Sequence, residues 1–133
     1  MAFKTLAPGV LVSGQIDLDD LKTAAAKGVT RVVNNRPDHE EAGQPSSAEI
    51  EAAARAAGLA YVHAPVRGMP DAAAVASVAE ALADGASTLL YCRSGMRSAS
   101  AWALAMAASG RMEADDIRAA AAGAGYDLSR LPL

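Results

Sequence analysis

The stretch "STLLYCRSGMRS", residues 87–98, decides the fold. An apolar run ends in the chain's one cysteine, and two arginines, two serines and a glycine follow at once. "STLLY" (87–91) is a continuous core strand, and the chain from Arg97 to Ser109 reads as a helix. A strand that runs through a short glycine turn into a helix makes an anion site. Successive backbone N–H groups curl into a nest, and the helix N-terminus adds partial positive charge. A field of this kind also favours a thiolate over a thiol. Cys92 is therefore the candidate nucleophile. Arg97, five positions on, is the side chain able to swing back over the loop and hold oxygens bidentately. Arg93, Ser94, Gly95 and Met96 form the loop itself. Ser98 is expected to cap the helix or donate to the sulfur.

Working outward, the same alternation recurs. Val10–Ser13 is a short extended piece. Asp17 to Lys27 is a helix with Asp17 as its N-cap, and "VTRVVN" (29–34) is a β-branched strand. "SSAEIEAAARAAG" (46–58) opens with a Ser46–Glu49 capping box. "LAYVHA" (59–64) is another strand, and Asp71 to Asp84 another helix, closed by Gly85. Glu113 to Ala122 forms the last helix. Strands separated by helices imply a parallel sheet covered on both faces, with ligands bound beyond the carboxyl ends of the strands. The loops 35–45, 65–70 and 92–97 all follow strands and should gather at one edge. The expected architecture is α/β, with three layers around a mainly parallel sheet of about four strands.

The chain has 133 residues, enough for one domain over residues 1–133. Half of the residues are apolar, yet only 4% are aromatic, and alanine makes up much of the total. Slender, closely packed helices follow from that composition. A net charge of −3 gives no reason to expect nucleic acid or an anionic membrane as partner. "MAFKTLAPGV" lacks the apolar core of a signal peptide, and no apolar run approaches a membrane span. A single cysteine rules out an internal disulfide, and the expected location is the cytoplasm, where a thiol stays reduced.

"VSGQ" (12–15), "VVNNRPDHE" (32–40), "YCRSGMRS" (91–98) and "AGYDL" (124–128) carry a resemblance along nearly the whole chain. "YCRSGMRS" resembles the active-site loop of tyrosine and dual-specificity phosphatases and of rhodanese sulfurtransferases. The four segments together resemble a bacterial phosphatase-like and sulfur transferase family, the phosphatase-like domain of β-lactamase-hydrolase-like proteins. The resemblance implies a dual-specificity-phosphatase-like fold. Members occur alone or joined to metallo-β-lactamase-like persulfide dioxygenases, which makes such an enzyme a candidate partner.

Spacing and acidity then separate the chemistries. Phosphatases of this kind place five residues between cysteine and arginine, whereas here four intervene, a length that resembles rhodaneses. A phosphatase also needs an acid to protonate the leaving alkoxide. "APVRGMP" (64–70) offers Arg67 and Gly68 where that acid is expected, leaving Asp38 and Asp71 as candidates. Each has a competing role: Asp38 as a turn residue, Asp71 as a helix cap. Sulfite or a thiolate leaves without a proton, so the expectation is sulfur transfer. A Cys92 persulfide would carry sulfur from thiosulfate or glutathione persulfide to a thiol or cyanide. Arg97 and Arg93 would stabilise the anionic donor and Arg36 and Arg67 would help select it, with an Arg36 ion pair to Glu40 or Glu41 as the alternative. A phosphatase working through phosphocysteine, or a non-catalytic anion-binding module, stays open. No metal or organic cofactor is expected. His39 and His63 are too few for a metal site, and Trp102 is expected to pack on the sheet.

Overall fold

A computed structural model of the chain describes residues 3–133. Five strands form one sheet: β1 (Lys4–Ala7), β2 (Val10–Ser13), β3 (Arg31–Asn34), β4 (Ala60–His63) and β5 (Thr88–Tyr91). Their order is β1-β2-β5-β3-β4, with β1 antiparallel to β2 and every other pair parallel. The expected sheet of about four strands is thus corrected to five. The added strand, "KTLA", is a four-residue edge piece whose two exposed polar residues, Lys4 and Thr5, are consecutive, so it is too short and lacks the apolar–polar alternation that would announce it.

β5 lies at the centre because all four of its residues are apolar or small enough to be buried on both faces. Leu89 and Leu90 alternate across the sheet: Leu90 joins the larger cluster with Val12, Val33 and Trp102, and Leu89 joins the smaller one with Val32, Leu21 and Ile50. Burying one such side chain is worth about 1.5–3 kcal/mol. α1 (Leu18–Ala26) and α2 (Ser47–Ala56) contribute to the smaller cluster. α3 (Ala72–Leu82), α4 (Met96–Ala108) and α5 (Ala114–Gly123) contribute to the larger. Alanine explains how α4 can be covered on most of its circumference. Ala99, Ala101, Ala103 and Ala105 let neighbouring helices approach closely, while Trp102 fills the remaining volume and has no exposed surface.

The helix starts follow the sequence signals. Asp17 caps α1 and Ser46 caps α2, each closing a reciprocal capping box, and Asp71 accepts the Ala74 N–H at 2.8 Å. α4 departs from expectation by one residue, beginning at Met96 behind an N-cap Gly95 rather than at Arg97. The carboxyl ends of β2, β5 and β3 then lie side by side, so residues 14–15, 92–95 and 35–36 meet at one edge.

Candidate active site

Cys92 follows β5 directly and has no exposed surface. The loop after it is shaped from outside by its carbonyls. The Arg93 carbonyl accepts the Gln15 N–H at 3.1 Å, and the Ser94 carbonyl accepts the Tyr126 hydroxyl at 3.2 Å. A peptide whose C=O points outward points its N–H inward. Accordingly the Gly95 N–H reaches the Cys92 sulfur at 3.1 Å. Gly95 has φ +94, and a Cβ there would meet the Tyr126 hydroxyl at 2.1 Å. Gly14 is needed for a different reason, since its Cβ would press on the Arg93 carbonyl at 3.1 Å. With α4 starting at Met96, the sulfur lies before the positive end of a 13-residue helix.

Arg97 is the second residue of α4. Its Nη1 and Nη2 donate to the two carboxylate oxygens of Glu40, both at 2.8 Å, and Nη1 also donates to the Val66 carbonyl at 2.6 Å. Its pKa is raised mainly by the Glu40 hydrogen bond, with the Cys92 sulfur adding a smaller effect. The loop after β4 therefore touches the site through a backbone carbonyl, not through an acid.

Several expectations for other residues change. Arg36 is 3% exposed, and each of its three nitrogens has a protein partner: Nε on Glu40 at 2.9 Å, Nη1 on Gln15 at 2.9 Å, Nη2 on Glu41 at 2.6 Å. It is an internal anchor and takes the ion-pair alternative in full. Arg67 is exposed and shares a depression with His63, Asp71 and Ser77 that no residue of the cysteine loop lines. Arg93 points outward and pairs with Glu41 at 3.2 Å on the rim. Ser98 neither caps α4 nor donates to sulfur; buried, it donates to the Asn35 Oδ1 at 2.8 Å. It lies inside the first turn of α4, and its hydroxyl turns to the loop after β3 instead of to the helix end.

The two candidate acids are both occupied as caps. Asp38 accepts the Ser47 N–H at 2.7 Å at the start of α2, and Asp71 caps α3. Asparagine caps a helix about as well as aspartate. Asp71→Asn should therefore leave the urea midpoint and the pH–rate profile unchanged; loss of the profile's basic limb would restore Asp71 as a proton donor.

Sequence reasoning left out Glu40, Gln15, Asn35 and Tyr126 as site residues. Asn35 joins the β3 loop to the site, donating from Nδ2 to the Ala64 carbonyl at 2.8 Å and accepting from Ser98. An available signal was the acidic pair Glu40–Glu41, four and five residues after Arg36, in a loop bound for the same edge as a basic one. Together the side chains form an alternating chain, Arg93–Glu41–Arg36–Glu40–Arg97.

Glu40 is held at about 2, well below its ordinary 4.5. The Arg97 hydrogen bond is the main cause, burial opposes it, and Arg36 adds to it. A carboxyl depressed on folding stabilises the fold fully above its ordinary value, and loses that contribution as pH falls toward 2. Thermal melts from pH 5 to pH 2 should thus fall more steeply for the wild-type protein than for Glu40→Gln. Equal slopes would mean the pair contributes no stability.

A central parallel sheet with helices on both faces, and a buried cysteine at the head of a helix, define a cysteine-phosphatase-like α/β domain. Residues 2–110 match the family model for the phosphatase-like domain of β-lactamase hydrolase-like proteins, and the chain belongs to that family. It is 38% identical over 121 residues to a β-lactamase hydrolase-like protein of Xylella fastidiosa, covering 90% of this chain and 28% of that protein. A relative of the same description from Agrobacterium fabrum is 31% identical over 119 residues, covering 88% of this chain and again 28% of the relative. The chain thus spans little more than a quarter of these relatives. Among solved structures, a candidate phosphatase from Neisseria meningitidis superposes with a TM-score of 0.80 at 32% identity, over 96% of this chain and 92% of that one. Kinase-associated phosphatase shares the fold, with a TM-score of 0.72 at 16% identity over 95% and 85% of the two chains. No helix among the described residues is long and apolar enough to cross a membrane.

Proposed function

We propose that the domain is a cysteine-dependent phosphatase acting on esters whose leaving group departs without a proton. The observation that carries this reading is the cradle. Cys92 lies at the head of α4, the Gly95 N–H points at its sulfur, and Arg97 is fixed beside it. In the first step the Cys92 thiolate attacks phosphorus, forming an S–P bond. The P–O ester bond breaks, and the leaving group takes the electron pair. Water then attacks phosphorus, breaks the S–P bond and returns the thiolate, giving one proton to solvent.

The restriction on leaving group follows from the carboxylates. Asp38 and Asp71 cap helices, while Glu40 and Glu41 are ion-paired to arginines. None is positioned to protonate an alkoxide, so aryl phosphates are the favoured class. Because Cys92 is fully buried, substrate entry requires the rim around Arg93 and Met96, or the 37–44 loop, to give.

Sulfur transfer is the second reading, favoured by the four-residue spacing from Cys92 to Arg97 and by the same lack of a free acid. There the thiolate attacks the sulfane sulfur of thiosulfate and forms a new S–S bond. The donor's S–S bond breaks, and sulfite leaves with the electron pair. An acceptor thiolate such as that of glutathione then takes the outer sulfur and restores the Cys92 thiolate. Either reaction fits a reducing compartment such as the cytoplasm, and a persulfide dioxygenase is a natural partner only for the second.

Mass spectrometry of intact protein distinguishes the two. Incubation with an aryl phosphate should add one phosphoryl group at Cys92, and incubation with thiosulfate should add none. A gain of one sulfur from thiosulfate, with no phosphoryl adduct, transfers the assignment to the second reading. No adduct from either donor leaves an anion-binding module.

A further inference from the structure

We propose that a pocket at the edge of the sheet opposite Cys92 binds a small aromatic carboxylate. An oxygen on the far end of the ring accepts from the Trp102 indole N–H, and the carboxylate pairs with Arg111. The parallel strands β2 and β5 both start at that edge, each shortly after a left-handed glycine, Gly9 at φ 77 and Gly85 at φ 75. α4 begins beside Cys92 and runs back toward them. At 1.5 Å per residue, Trp102 lies about 9 Å along the helix from Met96. Trp102 and Met106, with Arg111 and Met112 from beyond the helix, line a pocket of about 200 Å³ between those two turns. That volume exceeds the ~150 Å³ at which an apolar cavity takes up benzene. The site is separate from Cys92 and independent of the reaction performed there.

A donor without an acceptor sets this pocket apart from the other depressions. Trp102 has no exposed surface, and its Nε1 finds no hydrogen-bond partner among the described residues. An indole N–H can only donate, and buried unmade it carries its full desolvation penalty. An occupant that brings an oxygen to it relieves that penalty. The walls favour a ring. Met106 and Met112 have thioethers that pack well on aromatic faces, and their unbranched chains re-pack readily to let an oxygen reach the indole. Charge is set at the mouth. Arg111 is exposed and is the one charged side chain lining the pocket among the described residues. Its Nη1 donates to the Leu82 carbonyl at 2.9 Å, while its Nη2 has no partner among the described residues. Asp84, next to Gly85, is already paired with Arg31 at 3.0 Å. A deep donor, apolar walls and a cation at the mouth match, in that order, a para oxygen, a ring and a carboxylate.

The chain has a single tryptophan, so one indole N–H resonance in a proton–nitrogen NMR spectrum reports on the floor of the pocket. The probe is para-hydroxyphenylacetate. It should move that resonance downfield and saturably, with a Kd of about 1 mM or tighter, the range open to a ligand of its size. Phenylacetate, which lacks the deep oxygen, should bind about tenfold more weakly. Tyramine, which keeps the ring and hydroxyl but carries an ammonium, should leave the resonance in place. Arg111→Gln should weaken the probe about threefold, as expected for an exposed ion pair. Ala86→Leu, which adds bulk at the pocket wall, should abolish the shift in protein that circular dichroism shows to be folded. An indole resonance that the probe does not move overturns the proposal, whether the N–H is unbonded or already served by water. Equal affinity for the three probes also overturns it, since the pocket would then read neither the oxygen nor the charge. So does an undiminished shift in folded Ala86→Leu, which would place the probe elsewhere. The three-probe comparison on the wild-type chain decides the question even if a variant folds poorly.

Discussion

Serine in place of Cys92 is expected to lower turnover about 10⁴-fold or more, the scale of losing a covalent nucleophile. Two features make serine a clean probe here. The side chain is wholly buried with the Gly95 N–H on its sulfur, and its backbone is fixed separately, the Cys92 N–H donating to the Ser13 carbonyl of β2 at 3.4 Å. A hydroxyl fits that volume and still accepts from Gly95. The Gly95 N–H and Arg97 are untouched, so tungstate should bind about as well as in the wild type. Steady-state turnover and calorimetry on the same preparation give the comparison. Retention of more than a few per cent of wild-type activity would remove Cys92 from the reaction and leave the loop as an anion seat. Loss of tungstate binding along with turnover would instead mean that the substitution had collapsed the loop.

The arrangement that makes this experiment interpretable was only partly legible in the residues. The strand–loop–helix unit at 87–98 was readable because its signals are local: an apolar run, a glycine, then a helical pattern. The capping boxes at Asp17 and Ser46 were readable for the same reason, since a cap and its partner lie three residues apart. What failed was long-range. Whether Arg36 faces substrate or the interior depends on Gln15, 21 residues away, closing over it. The partner of Arg97 is Glu40, 57 positions earlier in the chain, and no periodicity connects them. Ser98 was misplaced for the same reason: its partner, the Asn35 Oδ1, lies 63 positions earlier in the chain. β1 was missed because an edge strand of four residues carries too little pattern to outweigh its polar positions.

The same glycine supplies the second large effect. Gly95→Ala should destabilise the protein by about 2–4 kcal/mol, combining a left-handed backbone cost with a steric clash. The backbone term arises because φ +94 suits glycine and strains any residue with a Cβ. The steric term arises because that Cβ would lie 2.1 Å from the Tyr126 hydroxyl and 2.9 Å from the ring carbon bearing it. Tyr126 is not free to retreat: it is 7% exposed, its hydroxyl donates to the Ser94 carbonyl, and its ring lies 5.4 Å from the Lys4 ammonium. Relief must come from the loop, which would pull the Gly95 N–H off the sulfur and tilt the cradle. Activity should therefore fall by more than the folded fraction accounts for, at least about tenfold. A double-mutant cycle with Tyr126→Ala separates the two terms. If the clash dominates, the double variant should be less destabilised than the sum of the singles by about 1 kcal/mol or more, because removing the ring frees the space the new methyl needs. If the backbone dominates, the two costs should add. Urea unfolding of the four proteins measures the coupling. Gly95→Ala at wild-type stability and rate would show that the cradle does not depend on this close approach, and that the loop can reach its working shape by another path.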